Sequence, residues 1–229
     1  AGISRFNALF KNDFDIREIF ISDPKISGAL PPPTKEKKPP IVSPVNVRIG
    51  KIQVDNLEMA VENLGSSKFF FLKKGNLKVR EVQVSKTDTL SPGVAEKLDF
   101  NFRESFLVTS DSMYRLTLKD VDYEASTAVL SVDSFFIQPN YRDYDFTSRH
   151  KFETDRIDGK LTNISIHDFS LADYLKSGDL KSTCLEVEKM DLDVFRDKRK
   201  VFPHFNKPTF QQLIYDYPGR LNVDSIRVL

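Results

Sequence analysis

Residues 156–197, RIDGKLTNISIHDFSLADYLKSGDLKSTCLEVEKMDLDVFRD, contain the pattern from which the fold of this chain can be predicted. The first part of this stretch alternates apolar and polar residues, with a period of two that is typical of a half-buried strand. The apolar positions are Ile157, Leu161, Ile164 and Ile166. The alternation slips by one residue at Thr162-Asn163. Because one extra residue restores the same face after a local kink, the slip predicts a β-bulge.

A second strand of the same kind starts at Leu180, and its alternation slips at Thr183-Cys184. We expect Glu188-Lys189 to form a turn and residues 190–194 to return as a further strand. Between the two slipped strands, Ser170 is a candidate cap for a helix over LADYLKS, and Gly178 is a candidate left-handed stop. A helix of about two turns is held by packing, here of Leu171, Tyr174 and Leu175.

The slipped rhythm recurs along the chain. Further copies stand at Val47–Val54, Leu77–Val84, Leu116–Tyr123 and Leu221–Val228, and Phe14–Ile26 repeats the order of strands. Any antiparallel sheet shows alternation, but the shared position of the slip indicates a repeated unit. The prediction is a mainly β protein: an elongated, curved antiparallel sheet of repeated bulged strands and hairpins, with two or three short helices.

Three regions are expected. Residues 1–30 are predicted to form a helix (3–12) and the hairpin that starts the sheet. Residues 31–44, PPPTKEKKPPIVSP, are predicted to be a proline-rich linker or loop. Residues 45–229 are predicted to be the β-repeat region, with a hairpin that turns at Asp55-Asn56, an exposed excursion at 141–155 and a helix entered at Pro208.

Composition and motifs argue against several classes of function. The net charge is +1, from 34 basic and 33 acidic residues spread along the chain, which removes the electrostatic argument for nucleic acid. His150, His167 and His204 stand far apart, so the sequence offers no compact set of zinc ligands. Cys184 is read as a small buried residue. No glycine-rich phosphate loop, serine nucleophile motif or calcium loop is present. The sequence therefore predicts no enzyme and no cofactor.

Several stretches resemble a known family. YRLTLKDVDYEASTAVLSVDSFFIQPNY at 114–141, the run from His150 to Pro203 and GRLNVDSIRVL at 219–229 are similar to AsmA-like proteins of Bacteroidetes-type cell envelopes. DFDIREIFISDPKIS at 13–27 resembles the phrase that opens such domains. The resemblance implies a periplasmic protein, anchored in the inner membrane by an N-terminal segment of a longer parent, that moves phospholipid between membranes or maintains the outer membrane. It implies no catalytic residues.

The apolar positions of the slipped strands are the candidate binding residues. If the strands form one sheet, these positions share one face that an acyl chain can occupy. The candidates are Ile49, Ile52, Val82, Leu118, Ile164 and Leu185. Phe100, Phe102 and Phe106 are expected to face either this groove or a core. The alternative function is a structural or adhesive β-module with a closed core and no ligand.

Overall fold

A computed structural model describes residues 13–29, 46–63, 67–84, 97–202 and 220–229. The helix predicted over residues 3–12, the linker predicted at 31–44 and the helix predicted to start at Pro208 lie outside these residues.

The described residues form one open sheet of ten strands with two short helices. The strands are β1 (Asp13–Ser22), β2 (Lys25–Ala29), β3 (Asn46–Glu62), β4 (Ser67–Val84), β5 (Leu98–Thr109), β6 (Tyr114–Glu124), β7 (Val129–Pro139), β8 (Asp155–His167), β9 (Leu180–Arg196) and β10 (Leu221–Val228). The helices are α1 (Asp143–Ser148) and α2 (Leu171–Ser177). The order in the sheet is β1-β3-β4-β5-β6-β7-β8-β9-β10, and β2 also pairs with β3. The mainly β prediction is therefore confirmed.

The sheet is mixed, because its outer strands run parallel to their neighbours. Strands β3 to β9 pair antiparallel in chain order, as predicted. β1 and β2 both pair parallel with β3, and β10 pairs parallel with β9. The hairpin predicted within residues 1–30 is wrong. Asp23 donates its backbone N–H to Asp55 O, and Pro24 O accepts from the Glu58 N–H, so the chain continues along β3 and does not fold back on β1.

Two predicted turns are instead kinks inside long strands. β3 runs through Asp55-Asn56, where Asn56 adopts a left-handed backbone with φ 57°. β9 runs through Glu188-Lys189 without reversal. Two adjacent polar residues in an alternating strand are typical of a turn. At Asp55-Asn56 one left-handed residue absorbs them while the strand keeps its direction, whereas β9 continues through Glu188-Lys189 without a left-handed residue.

Three of the slips predicted from sequence coincide with left-handed residues, but the slip predicted at Thr183-Cys184 in β9 does not. Glu81 in β4, Asp120 in β6 and Asn163 in β8 have φ values of 54°, 45° and 50°. The expected one-sided bulges are not present at these points, because the register on either side of Asn163 is unchanged. The residues at which the alternation slips lie opposite one another in neighbouring strands. One line of them, which we call the kink line, crosses the sheet through Lys74, Arg103, Asp120, Asp133, Asn163 and Glu188.

The helix predicted over LADYLKS is confirmed as α2. Ser170 Oγ accepts a hydrogen bond from the Asp173 N–H, and Gly178 ends the helix with φ 74°. Its packing differs from the prediction: Leu171 is buried, whereas Tyr174 and Leu175 are exposed. Phe169, just before the cap, is buried in their place and packs on Tyr123.

The exposed excursion predicted at 141–155 is confirmed only in part: residues 142–145 are exposed, but the segment also contains α1 and the most deeply buried side chains of the described residues. Phe146 and Thr147 are each 1% exposed. Phe146 packs edge-on against Tyr114 of β6, with ring centroids 5.3 Å apart. One apolar ring among polar neighbours gives no periodic signal, which is why the sequence pattern missed it.

Candidate functional site: the apolar face of the sheet

One side of the sheet carries four rows of apolar side chains that run across the strands. Directly paired residues in neighbouring strands place their side chains on the same side, so the register defines each row. The first two rows are Val61-Phe70-Leu107-Leu116-Ile137-Gly159-Leu192 and Met59-Leu72-Ser105-Leu118-Phe135-Leu161-Met190. The next two are Gly75-Phe102-Val121-Val132-Ile164-Val187-Val228 and Ile21-Val54-Leu77-Phe100-Tyr123-Leu130-Ile166-Leu185-Ile226. We call this side the apolar face.

The kink line allows the second and third rows to share the apolar face. They are three residues apart in each strand, which in a regular strand would put them on opposite sides. A Cβ built on Gly75 would meet Leu72 Cδ2 at 2.6 Å, so the third row lies directly beside the second. The left-handed residues Asp120 and Asn163 therefore extend one apolar surface across the whole length of the strands.

The six candidate residues lie on this face. Leu118, Ile164 and Leu185 belong to the second, third and fourth rows. Ile52 lies in β3 two residues before Val54 of the fourth row and pairs with Val79. Ile49 pairs with Val82, on the other side of a second kink at Gly50 and Glu81. Val82 is buried, whereas the other five candidates are half-buried.

The two helices meet the apolar face near opposite ends of the strands. Phe169 and Leu171 form a buried cluster with Tyr123, against which Phe100 and Ile166 of the fourth row also pack. Tyr123 Oη donates a hydrogen bond to Phe169 O over 3.3 Å. Burial raises the pKa of the Tyr123 phenol above its ordinary value. At the other end, Phe146 of α1 packs on Tyr114, which precedes the first row in β6.

Between these ends the apolar face has no described strand stacked on it. The strand pairs with extensive contact are all neighbours within the sheet. Large side chains such as Leu116, Phe135 and Leu161 are only half-buried. Exposure is greatest at the edges: Ile21 in β1, the end of β9 and Ile226 in β10 are exposed. The described residues thus offer an extended apolar surface with access to solvent.

Phe106 belongs to the opposite face, contrary to one of the expectations. The kink at Arg103 separates it from Phe100 and Phe102, which lie on the apolar face. Phe106 packs on Phe71, with ring centroids 5.2 Å apart, and the Arg115 guanidinium lies 3.7 Å from the centroid of the Phe106 ring. The Arg115 guanidinium covers part of the Phe106 ring, so the aromatic cluster on the opposite face does not present an uninterrupted apolar surface. Sequence alternation alone could not assign it, because the assignment depends on which residue forms the kink.

Polar groups on the opposite face bond mainly to one another. A crevice of about 290 Å³ is lined mainly by polar residues, among them Gln53, Asn76 and Asn101. Asn76 Nδ2 donates to Asn101 Oδ1 over 2.7 Å, and Arg80 forms an ion pair with Asp99 over 2.5 Å. These bonds link β4 to β5 and leave the face wet, as expected for the solvent side of a sheet.

A clamp at the end of β9 holds α1. Arg199 donates from Nε and Nη2 to the two carboxylate oxygens of Asp197, at 2.8 and 2.9 Å. The hydroxyl of Thr147 in α1 donates to the same carboxylate over 3.4 Å. The Arg199 side chain lowers the pKa of Asp197 to about 2, with smaller contributions from the Arg199 backbone N–H and from Thr147.

The described residues show no group of three His, Cys, Asp or Glu side chains placed to hold a metal ion. Cys184 is half-buried, and its thiol lies 3.8 Å from Glu186 Oε1. His167 lies 3.5 Å from the other oxygen of that carboxylate, on the wet face. None of the helices in the described part of the chain has the length and apolarity needed to cross a bilayer.

No family model, no curated protein and no solved structure matches the chain.

Proposed function

We propose that this chain is a non-enzymatic, lipid-binding segment of an AsmA-like cell-envelope protein. In that role it would bind phospholipid or another acyl lipid in transit between membranes or during outer-membrane biogenesis. The observation that carries the proposal is the apolar face: four apolar rows continue across the sheet, and most of their side chains keep contact with solvent. The family and the periplasmic location rest on the sequence resemblance.

The chemistry of this surface suits an acyl chain. The second row presents Leu118, Phe135 and Leu161 side by side, and the buried Ser105 separates them from Leu72, so that no charged group lies among them. Burial of one methylene group contributes about 0.8 kcal/mol, so a chain laid along one row gains affinity without a specific polar contact. The kinks support the proposal because they keep polar residues such as Asp120 and Asn163 from interrupting the apolar surface between the second and third rows.

A structural or adhesive β-module is the second candidate. The buried valines of the third row, Val121, Val132 and Val187, favour it, because they show that part of the face is already dry. The half-buried leucines on either side favour the lipid-binding role.

The test is a lipid photocrosslinking assay on the full-length parent with a charge placed on the apolar face. Ile164→Asp should abolish crosslinking while the protein stays folded, because a half-exposed carboxylate can reach water. Ile52→Asp should do the same. Thr162→Asp is the matched control: it lies in the same strand, on the opposite face, beside Lys189, and should leave crosslinking unchanged.

Two outcomes would overturn the proposal. If Ile164→Asp unfolds the protein, as shown by circular dichroism, the face is a sealed core and the structural module takes its place. If the folded Ile164→Asp protein crosslinks lipid like the parent, the apolar face is not the binding surface.

A further inference from the structure

The outer edge of β9 is only half covered. β10 pairs with residues 180–187, and the backbone N–H of Leu229 still donates to Val187 O. From Glu188 to Arg196, no strand among the described residues pairs with this edge. The side chains of Met190, Leu192 and Val194 point to the apolar face and are 44%, 52% and 56% exposed. Such an edge is a template for another strand.

The opposite edge of the sheet shows how such a site is filled. β1 covers the first part of β3, and β2 covers the next part in the same direction. Ile26 of β2 lies beside Met59, which belongs to the same row as Met190 of β9. Lys25 of β2 forms an ion pair with Glu58 over 3.1 Å. A short parallel strand with one apolar and one basic side chain thus completes the equivalent part of β3.

Charge selects the kind of strand that fits β9. Asp191 and Asp193 project from the wet side of the open edge, with side chains 58% and 83% exposed. Lys189 lies 3.0 Å from Asp191 and Arg156 lies 4.0 Å from Asp193, and the exposed surface of both carboxylates remains accessible to a further basic group. Edge strands elsewhere in the sheet oppose charges across the pair, as in Arg227 to Glu186 at 2.8 Å and Lys51 to Glu18 at 2.7 Å. Antiparallel self-pairing of two copies centred on Leu192 would place Asp191 opposite Asp193, and like charges directly opposite destabilise a sheet.

We propose that residues 188–196 dock an extended segment of a partner protein by strand addition. The segment runs parallel to β9, with apolar side chains at alternate positions and lysine or arginine between them. Main-chain hydrogen bonds supply affinity, and the alternate side chains supply specificity. Docking extends the apolar face by one strand beyond Met190, Leu192 and Val194. This interaction does not require that lipid binds.

The probe is a synthetic peptide of the same length as the open edge at residues 188–196. In its sequence, lysine alternates with isoleucine or valine. On binding to the whole chain it should slow hydrogen exchange of the amides at 188–196 and leave β5 unchanged. A peptide of the same composition with its lysines grouped at one end should protect the edge much less, because it cannot place apolar residues on one side. A peptide with glutamate in place of lysine should also bind weakly.

Two variants locate the site. Leu192→Lys should weaken binding of the lysine peptide by at least about tenfold, whereas Leu175→Lys, a matched change at an exposed leucine of α2, should not. Asp193→Lys should reverse the preference, so that the glutamate peptide binds better than the lysine peptide.

Three results would overturn the proposal. The first is equal binding of the alternating and grouped peptides, and the second is no protection of the amides at 188–196 when peptide is added. The third is protection of these amides without peptide, in a sample that sediments as a dimer. The last result would assign the edge to a second copy of the chain.

Discussion

Asp120 of β6 and Asn163 of β8 lie on one line across the sheet, with Asp133 of β7 between them, and both adopt a left-handed backbone. Most L-amino acids avoid this conformation, whereas asparagine and aspartate tolerate it because their short side chains form local hydrogen bonds. The residue types at Asp120 and Asn163 therefore suit the backbone they adopt, whereas Lys74 and Glu81 adopt it without this advantage. The kinks in turn place the second and third apolar rows on the same face.

Replacement of Asn163 by valine should test this role of the kink. A β-branched side chain at φ 50° is strained, so we expect Asn163→Val to lower the free energy of unfolding by about 1–2 kcal/mol. Asn163→Gly should change it by less than about 0.5 kcal/mol, because glycine accepts the conformation. The small remaining loss comes from the hydrogen bond that Asn163 donates to Glu188. Urea denaturation measures both. Thr162→Val, one residue earlier, is the control; an equal loss there would show that valine harms this strand for another reason.

Gly50 should be required for β1 to pair with β3. A Cβ at this position would lie 2.7 Å from the backbone oxygen of Arg17, which is too close for any real contact. We expect Gly50→Ala to cost on the order of 1–3 kcal/mol and to speed hydrogen exchange of the β1 amides specifically.

Gly28 in β2 provides the matched control, because a Cβ there meets nothing within 4 Å. Gly28→Ala should leave exchange in β1 and β2 unchanged. If the two variants behave alike, close approach of β1 and β3 at Gly50 is not what limits the substitution.

Local patterns were enough to predict part of this fold. The slips at Thr162-Asn163 and the cap and stop of α2 depend on residues adjacent in sequence, and the structure shows left-handed Asn163, the Ser170 cap and left-handed Gly178. The six candidate residues follow from the same alternation, and the register brings them to one face.

Other features depend on which strands meet, and alternation does not contain that information. β1, β2 and β10 each pair parallel with their neighbour, which alternation within one strand does not predict, so the predicted hairpin was wrong. The face of Phe106 depends on the exact kink residue of β5. The sequence of β9 alone predicted a turn at Glu188-Lys189, because it does not show that Glu188 lies opposite Asn163 in the neighbouring strand.

Phe169 should stabilise the packing of α2 more than Leu175, which the sequence pattern predicted to be a packing residue. Phe169 is buried and packs at 5.9 Å on Tyr123, whereas Leu175 is 63% exposed. We expect Phe169→Ala to reduce the free energy of unfolding by about 3–5 kcal/mol and Leu175→Ala by less than about 0.5 kcal/mol. Thermal or urea unfolding distinguishes them, and similar losses for both would contradict the packing described for α2.

The carboxylate of Asp197 should make stability depend on acid pH. Its pKa is about 2 in the folded chain, against an ordinary value of 3.8, because Arg199 donates two side-chain hydrogen bonds to it. A pKa that is lower in the folded state means that the unfolded state takes up the proton first. The stabilisation from this group is therefore fully present above about pH 4 and is lost as the pH falls towards 2.

Asp197→Asn should remove this contribution, so that the free energy of unfolding falls less steeply between pH 4 and pH 2 than in the parent. Arg199→Gln should flatten the same interval, because the remaining carboxylate loses the cation that lowers its pKa. The double variant should be no flatter than Asp197→Asn alone, since both changes act on one titrating group. Urea titrations at several pH values measure these slopes. Parallel curves for the parent and Asp197→Asn would show that the clamp between β9 and α1 does not titrate in this range.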